Sequence, residues 1–210
     1  MFKKTVVLNT TRLKPIGKFT FDYKSVLFFT LFLCGLIVGV TFINKGDEAL
    51  VEFFTKILKN RITAENNNNF LTCFCGDVLP LMLLQLFCYI WGLCAFGIPF
   101  IWLAPLVFGL MCGMTIGLYL VNYGIMGLGY CALVKIPAYA ITAATLIKCC
   151  CESTICSDNI FVYALKGERS ENTILKDYTL KYILLCIPLV LAAVLSAGCD
   201  KLFSGFFNFL

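Results

Sequence analysis

The chain has 210 residues, of which 60% are hydrophobic and only 14% charged, with a formal net charge of +5. A mean hydropathy of +0.88 excludes an ordinary soluble domain and predicts a membrane protein. The absence of histidine excludes Ser-His and Cys-His nucleophiles and histidine metal sites.

Residues 1–24 form a basic tail carrying Lys3, Lys4, Arg12, Lys14, Lys18 and Lys24. Residues 25–44, SVLFFTLFLCGLIVGVTFIN, are long enough to span a bilayer and exceed a signal-peptide core. No small-x-small cleavage site follows, so this first span is expected to be a retained anchor. Residues 45–77 then leave the bilayer as a polar loop that includes the Asn66–Asn69 run. Within that loop Leu50, Phe53, Phe54, Ile57 and Leu58 recur at helical spacing, with Asp47 and Glu48 at the start of the segment and Lys56, Lys59 and Arg61 at its end. This order suits the helix dipole and predicts an amphipathic helix, which lies on the membrane, docks a partner or packs on the bundle.

From Val78 to Val134 no residue is charged, a stretch of 57 residues. As one helix it would run roughly 85 Å against a hydrocarbon core about 30 Å thick, so it must fold back. Residues 78–147 are therefore read as spans two to four. Gly97-Ile98-Pro99 makes the first turn, because Pro suits a helix start. Asn122-Tyr123-Gly124 makes the second. Residues 148–181 are mixed and polar, residues 182–199 form the fifth span, and residues 200–210 are a short tail. The fold class is thus all-α, a polytopic transmembrane helical bundle of about five spans. With the amino terminus inside, eleven Lys and Arg of the tail and the 148–181 loop are cytoplasmic, and the carboxyl terminus is outside. The net charge follows this topology and gives no reason to invoke nucleic acid.

Thirteen cysteines invite a metal or disulfide reading, but no paired Cys-x-x-Cys pattern supports zinc. Cys34, Cys88, Cys94, Cys112, Cys131 and Cys186 fall inside spans as small apolar side chains. Cys149, Cys150 and Cys151 invite palmitoylation at a span end, and Cys73, Cys75 and Cys199 share the outer face. No Gly-x-Ser-x-Gly, P-loop or HExxH motif is present, and neither an enzyme nor a bound cofactor or metal is expected.

Two charges at membrane depth stand out, since such groups are costly and default to function. Asp77 and Lys135 lie about 10 and 17 Å from the outer ends of their apolar runs. They could form an ion pair. Asp77 could instead cap a helix starting at Val78, and Lys135 could face carbonyls freed by Pro137.

Gly109, Gly113 and Gly117 fall on one helix face, and Gly35 and Gly39 repeat the device in the first span. Lipid is as apolar as leucine, so membrane helices associate through close backbone approach, and glycine rows make the groove for it. The groove serves packing within the chain or against a partner, including a second copy of the chain.

The basic tail, the polar loop, the helix running into Gly97-Ile98-Pro99, the Gly109, Gly113, Gly117 row, the turn at Gly124 and Gly127 and the helix bearing Pro137 resemble the stage II sporulation protein M family over about residues 15 to 200. The cysteines and the asparagine run depart from the usual pattern. The resemblance implies a non-enzymatic scaffold that anchors extracytoplasmic cell-wall-degrading proteins during forespore engulfment. Other members lie beside transporter genes, which keeps open a membrane subunit of an ABC-type export system. Pro99, Pro105, Pro137 and Lys135 would then mark broken helices around a substrate site.

Overall fold

A computed structural model describes residues 23–46, 52–53, 55–56, 70–166 and 172–203. The elements are α1 (Tyr23–Lys45), α2 (Phe70–Gly92), α3 (Ile98–Tyr130), a π-helical turn (Cys131–Lys135), α4 (Ile136–Lys166) and α5 (Asn172–Phe203). Four stretches are long and apolar enough to cross a membrane: Tyr23–Lys45, Phe74–Gly92, Ile98–Val162 and Leu175–Cys199. The protein is a transmembrane helical bundle, and large apolar side chains such as Ile37, Leu83 and Ile187 stay exposed on its outside.

The Ile98–Val162 stretch has 65 residues and folds back on itself. Gly124 adopts φ 59° and ψ −138°, a backbone conformation essentially confined to glycine, and the ladder breaks there. On either side of it partners recede in step. The Tyr119 and Tyr130 rings lie 5.4 Å apart, Phe108 and Tyr139 lie 6.4 Å apart, and Cys150 Sγ donates to the Ile101 carbonyl at 3.9 Å. That is an antiparallel hairpin of α3 and α4.

The other contacts fix the remaining directions. Gly35 meets Leu106 and Gly39 meets Leu110, so α1 and α3 run parallel. Cys88 meets Cys150, and Ser157 on α4 meets Cys94 just past the end of α2, so α2 and α4 run parallel. Tyr89 meets Thr179 while Gln85 meets Tyr182, so α5 opposes α2. Successive helices therefore alternate in direction.

Local chemistry explains the punctuation. Pro99 sits in the first turn of α3, where a missing N–H costs nothing. Pro105 is tolerated within α3, which continues through it. Before Pro137 the ladder shifts register, and the Ile136 N–H donates to the Cys131 carbonyl. The wider π turn relieves the clash of the proline ring with the preceding turn and ends at Lys135.

Three boundaries differ from the sequence expectation. α2 begins at Phe70, so residues 70–77 belong to the helix and Asp77 is interior to it; the N-cap assignment for Asp77 is corrected. Helix α4 continues through Cys149–Cys151 to Lys166, and α5 begins at Asn172, so most of residues 148–181 is helical. α5 also runs on to Phe203, into the stretch read as a tail. Cys149, Cys150, Ser153 and Ser157 are buried along one face of α4, and their side chains pack against α2, α3 and α5. A hydropathy average registers their polarity and misses that they share a face.

Candidate functional site

Gly35 and Gly39 of α1 meet Gly109, Gly113 and Gly117 of α3 in a single seam. A Cβ at Gly35 would fall on the Leu106 carbonyl oxygen, at Gly39 on that of Leu110, at Gly109 on that of Phe32 and at Gly113 on that of Leu36. At Gly117 it would meet the Ile43 side chain at 3.1 Å. Backbone lies directly on backbone along about two turns, close enough for Cα–H···O contacts that no larger residue permits. The two glycine rows recognised separately in the sequence are each other's partners.

Asp77 and Lys135 come to the same cavity, about 110 Å³ in volume, between α2, α3, α4 and α5. The π turn brings Lys135 there and leaves it 6% exposed, while Asp77 enters from the eighth position of α2. Thr115, Tyr139, Thr142 and Ser196 add hydroxyls to the wall, and Phe108, Ala192 and Ala193 make its apolar part. The Thr115 hydroxyl donates to the Met111 carbonyl at 2.9 Å and that of Thr142 to Ala138 at 2.8 Å. Their hydrogens are committed to their own helices, and their oxygens remain acceptors.

A second polar cluster, unforeseen in the sequence, lies toward the Lys24 end. Ser153 Oγ donates to the Cys88 carbonyl at 3.0 Å and is shared with the phenols of Tyr178, at 3.2 Å, and Tyr182. Tyr182 donates to the Cys149 carbonyl and Tyr178 to the Tyr89 carbonyl, both at 3.2 Å. Three hydroxyl protons are thus shared among five contacts, three of them made at any one time, and the set ties α2, α4 and α5 together. Gln85 Nε2 donates to the Tyr182 carbonyl at 3.3 Å, and its buried Oε1 has no partner among the described residues. The signal was a set of i, i+4 polar pairs: Gln85 with Tyr89, Ser153 with Cys149 and Ser157, Tyr178 with Tyr182. Lys24–Asp158 at 3.1 Å and Lys181–Glu152 at 2.7 Å close the same end. Cys149 and Cys150 are fully buried, out of reach of acylation in the folded bundle, and Cys151 is half-buried.

Of the amphipathic segment, Phe53 is 59% exposed, and Asn122 Nδ2 donates to Thr55 Oγ1 at 3.3 Å near the Gly124 end. Leu50, Phe54, Ile57 and Leu58 lie outside the described residues. Cys75 and Cys199 are free thiols, and no group of three or more Cys, Asp or Glu among the described residues is placed to hold a metal.

No family model, no curated protein and no solved structure matches this chain.

Proposed function

We propose that this chain is a non-enzymatic integral membrane scaffold with five crossings, its amino terminus cytoplasmic and its carboxyl terminus outside, of the kind its resemblance to stage II sporulation protein M implies. Alternation of the five helices and the excess of Lys and Arg at the Lys24 end support the topology. The recruiting surface is the outer segment, residues 45–69, and its partners are extracytoplasmic cell-wall-degrading proteins. The hold of Asn122 on Thr55 carries this reading, because it tethers that segment to the rim of α3 while Phe53 remains exposed. A tethered segment with an exposed phenylalanine suits helix-in-groove docking.

The test is a Phe53→Ser, Phe54→Ser double variant, expressed in engulfing cells and compared with the parent by affinity purification. The expected result is loss of a co-purifying cell-wall hydrolase and failure of engulfment at a normal membrane level of the variant. Retention of that hydrolase removes the scaffold in this form. The second reading, a membrane subunit of an ABC-type export system, is favoured by one observation, the charged cavity at Asp77 and Lys135. It predicts that an ATPase co-purifies and is lost on deletion within residues 168–173.

A further inference from the structure

We propose that the tip of the hairpin at Gly124 is a docking surface for the chain's own residues 204–210, SGFFNFL, which cover Ile125 and Met126. Ile125 is 86% exposed and Met126 73% exposed. Such exposure is ordinary against lipid, but these two side chains stand beyond it. Gly39 packs on Gly113 and Gly117 faces Ile43, so the polar end of α1 at Lys45 comes level with Tyr119. Ile125 lies six residues further on, about 9 Å at 1.5 Å per residue. The headgroup layer on each side of the hydrocarbon core is about 5–8 Å deep, so the tip reaches water. Two adjacent large apolar side chains gain there by being covered.

The register of α5 selects the cover. Along α5 and the second arm of the hairpin, partners advance on one side as they recede on the other. Tyr178 meets Ser153, Tyr182 meets the Cys149 carbonyl, and Ser196 shares a cavity wall with Lys135. Cys199 then packs on the cluster that holds Tyr130 and Cys131, with Tyr123 beside the tip in the same cluster. Continued one residue forward for each residue back, this register carries the chain beyond Phe203, and Gly205 and Phe206 come opposite Met126 and Ile125. Seven residues reach up to ~24 Å, ample for a neighbouring helix about 8–10 Å away.

Composition agrees with the register. Phe206, Phe207, Phe209 and Leu210 fall within seven residues that carry no charge. The competing cover at this end is poorer. Thr55 touches Asn122 while both tip residues stay exposed, and residues 59–69 beyond it carry Lys59, Arg61, Glu65 and the Asn66–Asn69 run.

This inference stands apart from both functional readings, so the test uses the purified full chain in lipid nanodiscs with no partner present. Dilute hydrogen peroxide converts an accessible Met thioether to its sulfoxide, and peptide mass spectrometry reads the rate at each position. The parent is compared with a Phe206→Ser, Phe207→Ser, Phe209→Ser variant, which alters no described helix. Loss of three apolar contacts should speed oxidation of Met126 about tenfold, with Met111, inside the span, as the unchanged reference. Equal rates at Met126 overturn the proposal: both slow means that another surface covers the tip, and both fast that nothing does. A benzophenone analogue of phenylalanine placed at position 207 then identifies what the segment touches. Irradiation should give an adduct within one chain at Ile125 or Met126. Adducts confined to lipid, to residues 45–69 or to a second copy of the chain overturn the proposal, as does the absence of any adduct.

Discussion

Changing Gly113 to Ala adds one methyl group, and the seam between α1 and α3 makes it costly. The new carbon falls on the Leu36 carbonyl oxygen, with the Leu36 carbonyl carbon at 3.0 Å and Gly39 Cα at 3.1 Å. All three obstacles are backbone, so no rotamer change relieves them and the helices must part by about 1 Å. A gap of that size forfeits up to half of the dispersion attraction, so ~20 atom pairs at ~0.15 kcal/mol lose about 1.5 kcal/mol. Residual overpacking strain adds about 1.5 kcal/mol. Gly198→Ala is the matched control, because nothing lies within 4 Å of its added carbon. Both variants gain the same helix propensity, up to ~1 kcal/mol, which cancels in the comparison. The expected difference is about 3 kcal/mol, roughly a 150-fold shift in the unfolding equilibrium. SDS titration in mixed micelles measures it by the combined fluorescence of Trp91, stacked on Phe100 at 3.8 Å, and Trp102. Agreement of the two variants within about 0.5 kcal/mol would refute the seam as a stabilising contact.

Four further outcomes follow from other features. Gly124→Ala should cost about 1–3 kcal/mol with no steric neighbour involved, and Gly124→Asn about as much, since ψ −138° is not the left-handed helical well that asparagine tolerates; the same titration reads both. Ser153→Ala should lower stability by about 1–2 kcal/mol and speed amide exchange where α4 meets α5; unchanged exchange means the phenols repartner without it. Lys135→Met alone should destabilise more than Lys135→Met with Asp77→Asn, with a coupling of about 1 kcal/mol or more, and simple additivity would make the two charges independent. Reporter fusions after Glu65 and after Leu210 should read extracytoplasmic and one after Lys166 cytoplasmic, while a cytoplasmic signal at Leu210 rejects five crossings.

Glycine and proline carried the legible part of the fold. Gly97-Ile98-Pro99 and Gly124 mark turns because their backbone demands are local, and the chain turns at both. The glycine rows foretold close helix packing, though spacing alone does not say that Gly35 and Gly39 answer Gly109 and Gly113. Asp77 and Lys135 were recognisable because charge is rare at such depth, and they do share a cavity. The helix limits were less legible. Phe70 to Gly76 looked like loop because they follow an asparagine run, and Lys148 to Ser157 looked like loop because they are polar. What makes the second stretch helical is tertiary: Ser153 and Ser157 bond to carbonyls of Cys88 and Cys94, partners more than sixty positions away. The π turn at Lys135 depends on how a proline shares space with the turn before it, which no periodicity encodes.

The partners in the glycine seam are separated by synthesis time as well as by sequence. Gly35 and Gly109 stand 74 positions apart, so at ~5–20 residues per second α1 waits roughly 4–15 s for its mate to emerge. During that interval its bare backbone stripe faces lipid or whatever nascent helix stands nearby. The surface that later makes the tightest joint in the bundle is, for those seconds, an adhesive edge open to unintended chains. Assembly of this protein therefore depends on how quickly α3 is delivered beside α1, and slow codons between residues 46 and 108 would lengthen the exposure without altering a single contact in the finished fold.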